Sequence, residues 1–171
     1  MDIESELILF LSVDIIGSTA YKNSTSKSRE DEHPWLQFFR DFYVAFPEKL
    51  ASSLPEHYTE NDVPHIWKTA GDELIFAKGI KIINEICECV NGFRKTIVDY
   101  KKEMEKKTAN LSLKATGWIA GFPIVNAKIT TKNDKTDYIG PSMDTGFRLC
   151  ELSDSRKFII VSTRLIPLEE T

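Results

Sequence analysis

The stretch Leu7-Ile8-Leu9-Phe10-Leu11-Ser12-Val13-Asp14-Ile15-Ile16-Gly17-Ser18-Thr19 joins an apolar run to one acid and a loop of small residues. An apolar run of this length, bounded by Asp and Gly, predicts a buried strand whose carboxylate emerges at its C-terminal edge. Aspartate oxygens are hard ligands that suit Mg²⁺ or Mn²⁺. The loop that follows can present amides and hydroxyl groups at the start of a helix, which favours phosphate oxygens. We therefore interpret Asp14 as a metal anchor and Gly17, Ser18 and Thr19 as a phosphate cradle.

A second acid occupies a predicted hairpin turn. Asp72 follows Gly71 between the apolar residues 66–67 and 74–76, a pattern that predicts a tight turn with a strand on each side. An Asp beside a Gly after an apolar strand is commonly only a turn, so each acid alone is a weak signal. The two together favour a site in which neighbouring strand ends hold a pair of metal ions.

Composition places limits on the class of protein. The 171 residues suit one domain, and 42% hydrophobic and 28% charged residues are ordinary for a soluble globular protein. The formal charge of −4 argues against broad nucleic-acid binding, although it leaves room for a local pocket that binds a triphosphate. We expect a single domain over residues 1–171 with no nucleic-acid partner.

The chain also lacks the signals of a membrane or secreted protein. No stretch approaches the roughly 20 apolar residues of a membrane helix, and residues 1–6 lack the cationic start of a secretion signal. The three cysteines, Cys87, Cys89 and Cys150, have no paired zinc spacing and are expected to be reduced thiols. We expect a cytoplasmic protein without a membrane partner.

The rest of the chain predicts an alternation of helices and strands. Aromatic residues recur at helical spacing from Trp35 to Phe46 and predict a core-facing stripe, in which Tyr43 or a neighbour could also contact a base. The proline-bounded segment 47–64 predicts loop structure. A long helix is expected over 80–104, a strand over 111–120, a loop or strand extension over 126–135, a short helix over 143–152 and a strand over 158–161. This order predicts an α+β, ferredoxin-like βαββαβ core with helices covering a mainly antiparallel sheet.

Three motifs in chain order resemble the class III nucleotide cyclase domain. They are Val13-Asp14-Ile15-x-Gly17-Ser18-Thr19, Lys68-Thr69-x-Gly71-Asp72 and Asp137-Tyr138-Ile139-Gly140-x-x-x-Asp144-x-x-x-Arg148-Leu149. The resemblance runs from Leu7 to about Thr163 and implies the class III cyclase fold. The compact single-domain form, the aromatic helix at residues 35–43 and the segment 137–148 are most similar to the pyrimidine nucleotide cyclases of bacterial Pycsar antiphage systems.

The resemblance implies roles for the acids and the arginine. Asp14 and Asp72 match the ligands of two divalent ions, Mn²⁺ or Mg²⁺, with the carbonyl of Ile15 as a further ligand. Arg148 matches the arginine that stabilises charge on the α-phosphate, although a surface arginine is its ordinary alternative. Asp144, four residues earlier on the same helix face, stands where most family members carry Asn, so it keeps an acceptor, adds charge and loses the amide donor.

The resemblance does not determine which base the nucleotide substrate carries. Lys68 and Asp137 match the base-reading pair of adenylyl cyclases, yet one donor and one acceptor also suit uracil or cytosine, and both residues can equally be a surface charge and a turn acid. The Pycsar-like context favours UTP ahead of CTP. The family also implies a head-to-tail homodimer with two composite active sites, in which one protomer supplies the metal acids and its partner supplies the other groups.

Three functions therefore remain to be compared. The first is a uridylate or cytidylate cyclase whose cyclic nucleotide signals to a separate effector in antiphage defence. The second is an adenylate cyclase, and the third is a non-catalytic module that senses nucleotides. The family's terminal hairpin carries a phosphate-binding lysine, and few residues follow the strand at 158–161. We therefore expect other cations to take that role or phosphate binding to be weaker.

Overall fold

Helices and strands alternate along the structure, a computed structural model that describes residues 5–25, 33–108 and 110–162. In chain order the elements are β1 (Glu6–Ile16), α1 (Ser18–Thr25), α2 (Pro34–Ser52), β2 (His65–Ala70), β3 (Glu73–Ile80), α3 (Asn84–Lys107), β4 (Ser112–Phe122), β5 (Ala127–Thr130), β6 (Thr136–Ile139), α4 (Pro141–Leu152) and β7 (Phe158–Ser162). Within these ranges no helix is long and apolar enough to cross a membrane.

The main sheet has the strand order β2-β3-β1-β4-β7. Strand β1 lies at its centre and pairs antiparallel with β3 on one side and β4 on the other, while β7 is parallel to β4. The first four strands and the helices between them form the predicted βαββαβ core, because β1 is separated from β2 by helices and β3 is separated from β4 by α3. The predicted α+β, mainly antiparallel fold is confirmed.

Strand β1 supplies both faces of the sheet with buried side chains. Leu9, Leu11, Val13 and Ile15 belong to the core that the sheet shares with α2 and α3. The alternate residues Ile8 and Phe10 belong to a second core, against Trp118 of β4 and Met143 of α4. Because side chains alternate along a strand, Asp14 lies on the same face as Ile8 and Phe10. The acid therefore faces the layer that contains α4.

The structure corrects three predicted boundaries. Helix α2 continues through Pro47 to Ser52, where a loop was predicted from Pro47 onward. Phe46 and Leu50 are buried on either side of this proline, so packing outweighs the cost of a proline in a helix. Helix α3 begins at Asn84, because β3 continues to Ile80. The polar segment 126–135 contains β5, which forms a separate antiparallel pair with β6.

Helix α4 lies directly on the sheet at Gly146. A Cβ atom built on Gly146 would lie 2.3 Å from ring carbons of Trp118, so no larger residue fits without moving the helix. Trp118 is 1% exposed and its ring is stacked on Phe10 at 5.3 Å between centroids. The position of α4 therefore depends on this glycine.

We predict that Gly146→Ala lowers the free energy of unfolding by about 2 kcal/mol, because overpacking a filled core forces side chains and backbone to shift. Gly121→Ala is the matched control in β4, where nothing lies within 4 Å of an added Cβ. Urea unfolding of both variants measures the difference. Equal unfolding midpoints for the two variants would contradict this account of the helix contact.

Candidate active site

Asp14 lies near the end of β1 between two charged neighbours. In the sheet register it is opposite Glu73 of β3 and Lys114 of β4. The Nζ atom of Lys114 is 3.0 Å from Oδ2 of Asp14. Burial raises the pKa of Asp14, Lys114 opposes that rise, and the negative charge of Asp72 adds to it. The carboxylate is thus a partly buried group with one lysine counter-ion and one acidic neighbour.

Asp72 occupies the turn between β2 and β3, as predicted. Gly71 has φ +65°, a left-handed conformation that glycine adopts without strain and that allows the tight turn. The Nζ atom of Lys22 on α1 is 3.4 Å from Oδ1 of Asp72. The hydroxyl of Tyr43 on α2 donates a hydrogen bond to the carbonyl of Gly71. The two helices that follow β1 in sequence therefore hold the turn that carries the second acid.

The two acids and the predicted phosphate loop line one cleft of about 580 Å³, which we call the acid cleft. Its lining includes Asp14, Ile15, Gly17, Ser18, Thr19, Asp72, Glu73 and Lys114. Gly17 has φ +86°, and an added Cβ would lie 2.7 Å from the carbonyl oxygen of Asn110. This sharp bend starts α1 at Ser18, and the first amides of a helix have no acceptor within it. The acid cleft therefore combines carboxylates with free amide donors.

The donor set of the acid cleft fits a magnesium or manganese ion. Mg²⁺ is typically bound by one or two carboxylates together with substrate phosphates and water, and Asp14, Asp72 and the carbonyl of Ile15 supply such oxygens. Each of the two carboxylates already faces an ammonium group, so a metal ion at these positions would compete with Lys22 and Lys114. Within the described ranges, no three His, Cys, Asp or Glu side chains form a complete metal-binding group. A metal ion here would complete its coordination with water, or with substrate oxygens when substrate is bound.

Lys68 and Asp137, distant in sequence, meet in a second cleft of about 850 Å³. Their Nζ and Oδ2 atoms are 3.6 Å apart, and both side chains are half-exposed. The Lys68 ammonium lies 5.3 Å from the ring centroid of Trp67. The indole of Trp67 donates to the carbonyl of Thr136 at 3.0 Å. A donor and an acceptor thus lie side by side next to an aromatic ring, which is suitable for contacting the edge of a base.

Asp144 and Arg148 lie on the exposed surface of α4, one helical turn apart. Neither residue lines the acid cleft or the cleft of Lys68 and Asp137. The structure therefore divides the predicted site residues into three groups. The residues predicted to bind metal and phosphate lie together in the acid cleft. Lys68 and Asp137 lie together in the second cleft, and Asp144 and Arg148 face outward from α4.

Sequence reasoning missed one lysine and one acid of the acid cleft, and a second lysine that pairs with Asp72 from outside the lining of the cleft. Lys114 and Lys22 each form an ion pair with one of the two aspartates, and Glu73 lies beside them with its Oε1 atom 2.5 Å from the Oγ atom of buried Ser12. The alternation around Lys114 indicates an outward-facing residue of a strand, but only the strand register places it opposite Asp14. Tyr43 also differs from expectation, since its hydroxyl contacts Gly71 instead of being available to a base.

Several solved structures share this fold. The adenylyl cyclase CyaB from P. aeruginosa is 15% identical with a TM-score of 0.66, over 94% of this chain and 79% of that one. A non-canonical dimeric guanylyl cyclase domain of the RhoGC fusion protein from the aquatic fungus Blastocladiella emersonii is 14% identical with a TM-score of 0.60, over 92% of this chain and 81% of that one. The guanylate cyclase domain of RhGC from Catenaria anguillulae, in complex with GTP, is 15% identical with a TM-score of 0.57, over 92% and 80%.

At these identities the similarity establishes the fold, and the chain has the fold of class III nucleotide cyclase domains. No protein-family profile matches the sequence, and no curated protein matches it.

We predict that Tyr43→Phe weakens Mn²⁺ binding about fivefold, because loss of one hydrogen bond worth about 1 kcal/mol frees the turn that carries Asp72. Electron paramagnetic resonance of free Mn²⁺ measures this binding directly. Tyr58→Phe is the matched control, since its hydroxyl donates to Glu88 at 2.9 Å and does not line the acid cleft. Equal Mn²⁺ affinities in the two variants would show that Tyr43 does not position the turn.

Proposed function

We propose that this chain is a nucleotide cyclase, acting as a single catalytic domain over residues 1–171. It would convert a nucleoside triphosphate into its 3′,5′-cyclic monophosphate and pyrophosphate. The observation that carries the proposal is the convergence of Asp14 and Asp72 with the first turn of α1 in one cleft. In a chain with the cyclase fold, this combination suits the charge distribution of a metal-bound triphosphate.

The residues of the acid cleft have complementary roles in the proposed reaction. Asp14, Asp72 and the carbonyl of Ile15 would hold two divalent ions, which when bound neutralise the triphosphate and lower the pKa of the ribose 3′ hydroxyl. The amides of Ser18 and Thr19 would donate to phosphate oxygens. The 3′ hydroxyl would release its proton to solvent and its oxygen would form a bond to the α-phosphorus. The bond from that phosphorus to the bridging oxygen would break, and pyrophosphate would leave.

The remaining groups would reach the reacting atoms from a second protomer. The guanidinium of Arg148 is suited to charge that develops on the α-phosphate, and Asp144 can accept a hydrogen bond from ribose. Both residues face outward from α4 and lie outside the lining of the acid cleft, which supports a head-to-tail homodimer with two composite sites.

We propose a pyrimidine base, with UTP as the favoured substrate and cyclic UMP as the product. Lys68 can donate to O4 of uracil while Asp137 accepts from N3–H, and their 3.6 Å separation keeps both groups beside one base edge. The same pair can serve CTP or ATP, which are the alternative substrates. By the Pycsar resemblance, the cyclic nucleotide would be a second messenger that a separate effector reads during antiphage defence in the cytoplasm.

The substrate is tested by incubating the purified protein with Mn²⁺ and each of the four ribonucleoside triphosphates, then identifying products by mass spectrometry. We expect cyclic UMP from wild type and none from Asp72→Ala, because that variant loses a metal-binding carboxylate. Cyclic CMP or cyclic AMP instead would retain the cyclase and replace the base. Nucleotide binding without any product would favour the non-catalytic sensing module.

The composite site predicts complementation between two inactive variants. Asp72→Ala and Arg148→Ala should each be inactive alone, because each loses one half of both sites. Mixed in equal amounts and allowed to exchange, they should recover about one quarter of wild-type activity, since half of the dimers are mixed and one of their two sites is intact. Absence of recovery in a mixture shown to contain mixed dimers would contradict a shared site.

A further inference from the structure

We propose that Trp67 is a positioning residue for base recognition, and that a β-bulge places it on the same face of the sheet as Lys68. The inference rests on the proposed function, in which Lys68 and Asp137 contact the edge of the base. It assigns to Trp67 the task of holding these two groups side by side. It is carried by the register of β2, by a hydrogen bond from the indole to β6 and by the rings around Trp67.

The pairing of β2 with β3 contains one extra residue, which is Trp67. Ile66 is opposite Phe76, and Lys68 is opposite Ile75. Since Ile75 and Phe76 are neighbours in β3, Trp67 has no partner on that strand. Such a β-bulge interrupts the regular alternation of side chains and can redirect them.

The bulge allows Trp67 and Lys68 to share one face of the sheet. Paired residues of antiparallel strands lie on the same face, so Ile66 shares the face of Phe76, which belongs to the core with α2 and α3. Lys68 shares the face of Ile75, which belongs to the second core, and Trp67 packs against that same core. Neighbours in a regular strand would lie on opposite faces. The bulge therefore brings the Lys68 ammonium within 5.3 Å of the centroid of the neighbouring ring.

Trp67 also joins the main sheet to the pair of strands β5 and β6. Its indole Nε1 donates to the carbonyl of Thr136 at 3.0 Å, and its ring centroid lies 5.2 Å from that of Tyr138. Thr136 and Tyr138 flank Asp137 in β6. One side chain therefore contacts β6 on both sides of the acid, while the next residue along β2 is Lys68.

The ring of Trp67 is itself held by the core. It lies 5.3 Å from Phe10 of β1 and 6.3 Å from Phe147 of α4, between ring centroids. Its face attracts the Lys68 ammonium, which is half-exposed and 3.6 Å from Asp137. Trp67 does not line the acid cleft. Loss of its contacts should therefore weaken base recognition and leave triphosphate binding unchanged.

The test compares two ligands that share a triphosphate and differ in the presence of a base. A nucleotide that lacks the 3′ hydroxyl cannot cyclise, so calorimetry with Mn²⁺ measures its binding at equilibrium. The first ligand is 3′-deoxyuridine triphosphate, replaced by the 3′-deoxy form of another nucleotide if the product assay identifies that substrate. The second ligand is inorganic triphosphate, which has no base for Lys68 and Asp137 to contact.

Two variants of Trp67 should weaken binding of the 3′-deoxynucleotide by different amounts. Trp67→Phe keeps a ring and removes the indole N–H, so we expect a loss of about fivefold. Trp67→Leu also removes the aromatic face beside Lys68, so we expect a loss of about twentyfold. Both variants should bind inorganic triphosphate within about twofold of wild type, because about twofold is well below the loss of one hydrogen bond.

Two further variants separate positioning from other effects. In a Lys68→Met background, Trp67→Leu should weaken nucleotide binding by at most about threefold, because residues that act through a shared contact are not additive. Trp35→Phe makes the same chemical change as Trp67→Phe in an indole of α2 that does not line the second cleft, so neither affinity should change. Trp67→Phe retains ring packing, so the test does not depend on whether Trp67→Leu folds.

Two results would overturn the role of Trp67. One is unchanged nucleotide binding in both Trp67 variants while Lys68→Met weakens it, in which case the base-reading pair stands. The other is equal weakening of nucleotide and inorganic triphosphate, which indicates a general effect on the fold. If Lys68→Met binds both ligands as wild type does, the base-reading assignment of the proposed function is wrong and the role of Trp67 fails with it.

Discussion

The burial of the Asp14 carboxylate beside a second acid is the constraint around which the acid cleft is organised. Asp14 is partly buried, and both its burial and the charge of Asp72 favour its protonated form. The Lys114 ammonium of β4 opposes this effect at Asp14, and the Lys22 ammonium of α1 forms an ion pair with Asp72. The strand register and the start of α1 place these four charges together. A partly buried Asp14 carboxylate, whose ionised form is favoured by a neighbouring positive charge, is well suited to cations and to the phosphates that accompany them.

The central position of β1 explains how a single strand serves both stability and the site. Its residues alternate between two buried layers up to Val13, and pairing with β4 continues past Asp14 to Ile16. Asp14 therefore has a fixed backbone on both sides, although its side chain reaches a cleft. Gly17 then turns the chain sharply into α1, where the nearby Asn110 carbonyl leaves no room for a side chain. The rigid strand and the constrained bend fix the distance between the carboxylate and the helix amides.

The motifs were sufficient to predict the positions of Asp14, Asp72, Lys68 and Asp137, because each lies at a strand end or a turn with a local sequence signal. The meeting of Lys68 with Asp137 at 3.6 Å agrees with the resemblance, and it is a contact between residues far apart in the chain. Lys114 and Lys22 had no such signal, since their partners depend on strand register and helix packing. The length of α2 was also missed, because the burial of Phe46 and Leu50 overrides the local preference of Pro47.

One aromatic cluster packs beside the two groups of predicted site residues that do not line the acid cleft, which are Lys68 with Asp137 and Asp144 with Arg148. Phe10 of β1 contacts Trp67 beside Lys68, Tyr138 beside Asp137, and Trp118 beneath α4, with ring centroids 5.2 to 5.3 Å apart. The pair Lys68 and Asp137 and the helix that carries Asp144 and Arg148 therefore lie against the same aromatic cluster. Phe10 and Asp14 lie on the same face of β1, separated by four residues or about 13 Å of strand. Each protomer thus holds its contributions to the two proposed composite sites at a fixed spacing. A head-to-tail dimer would contain this spacing once in each protomer.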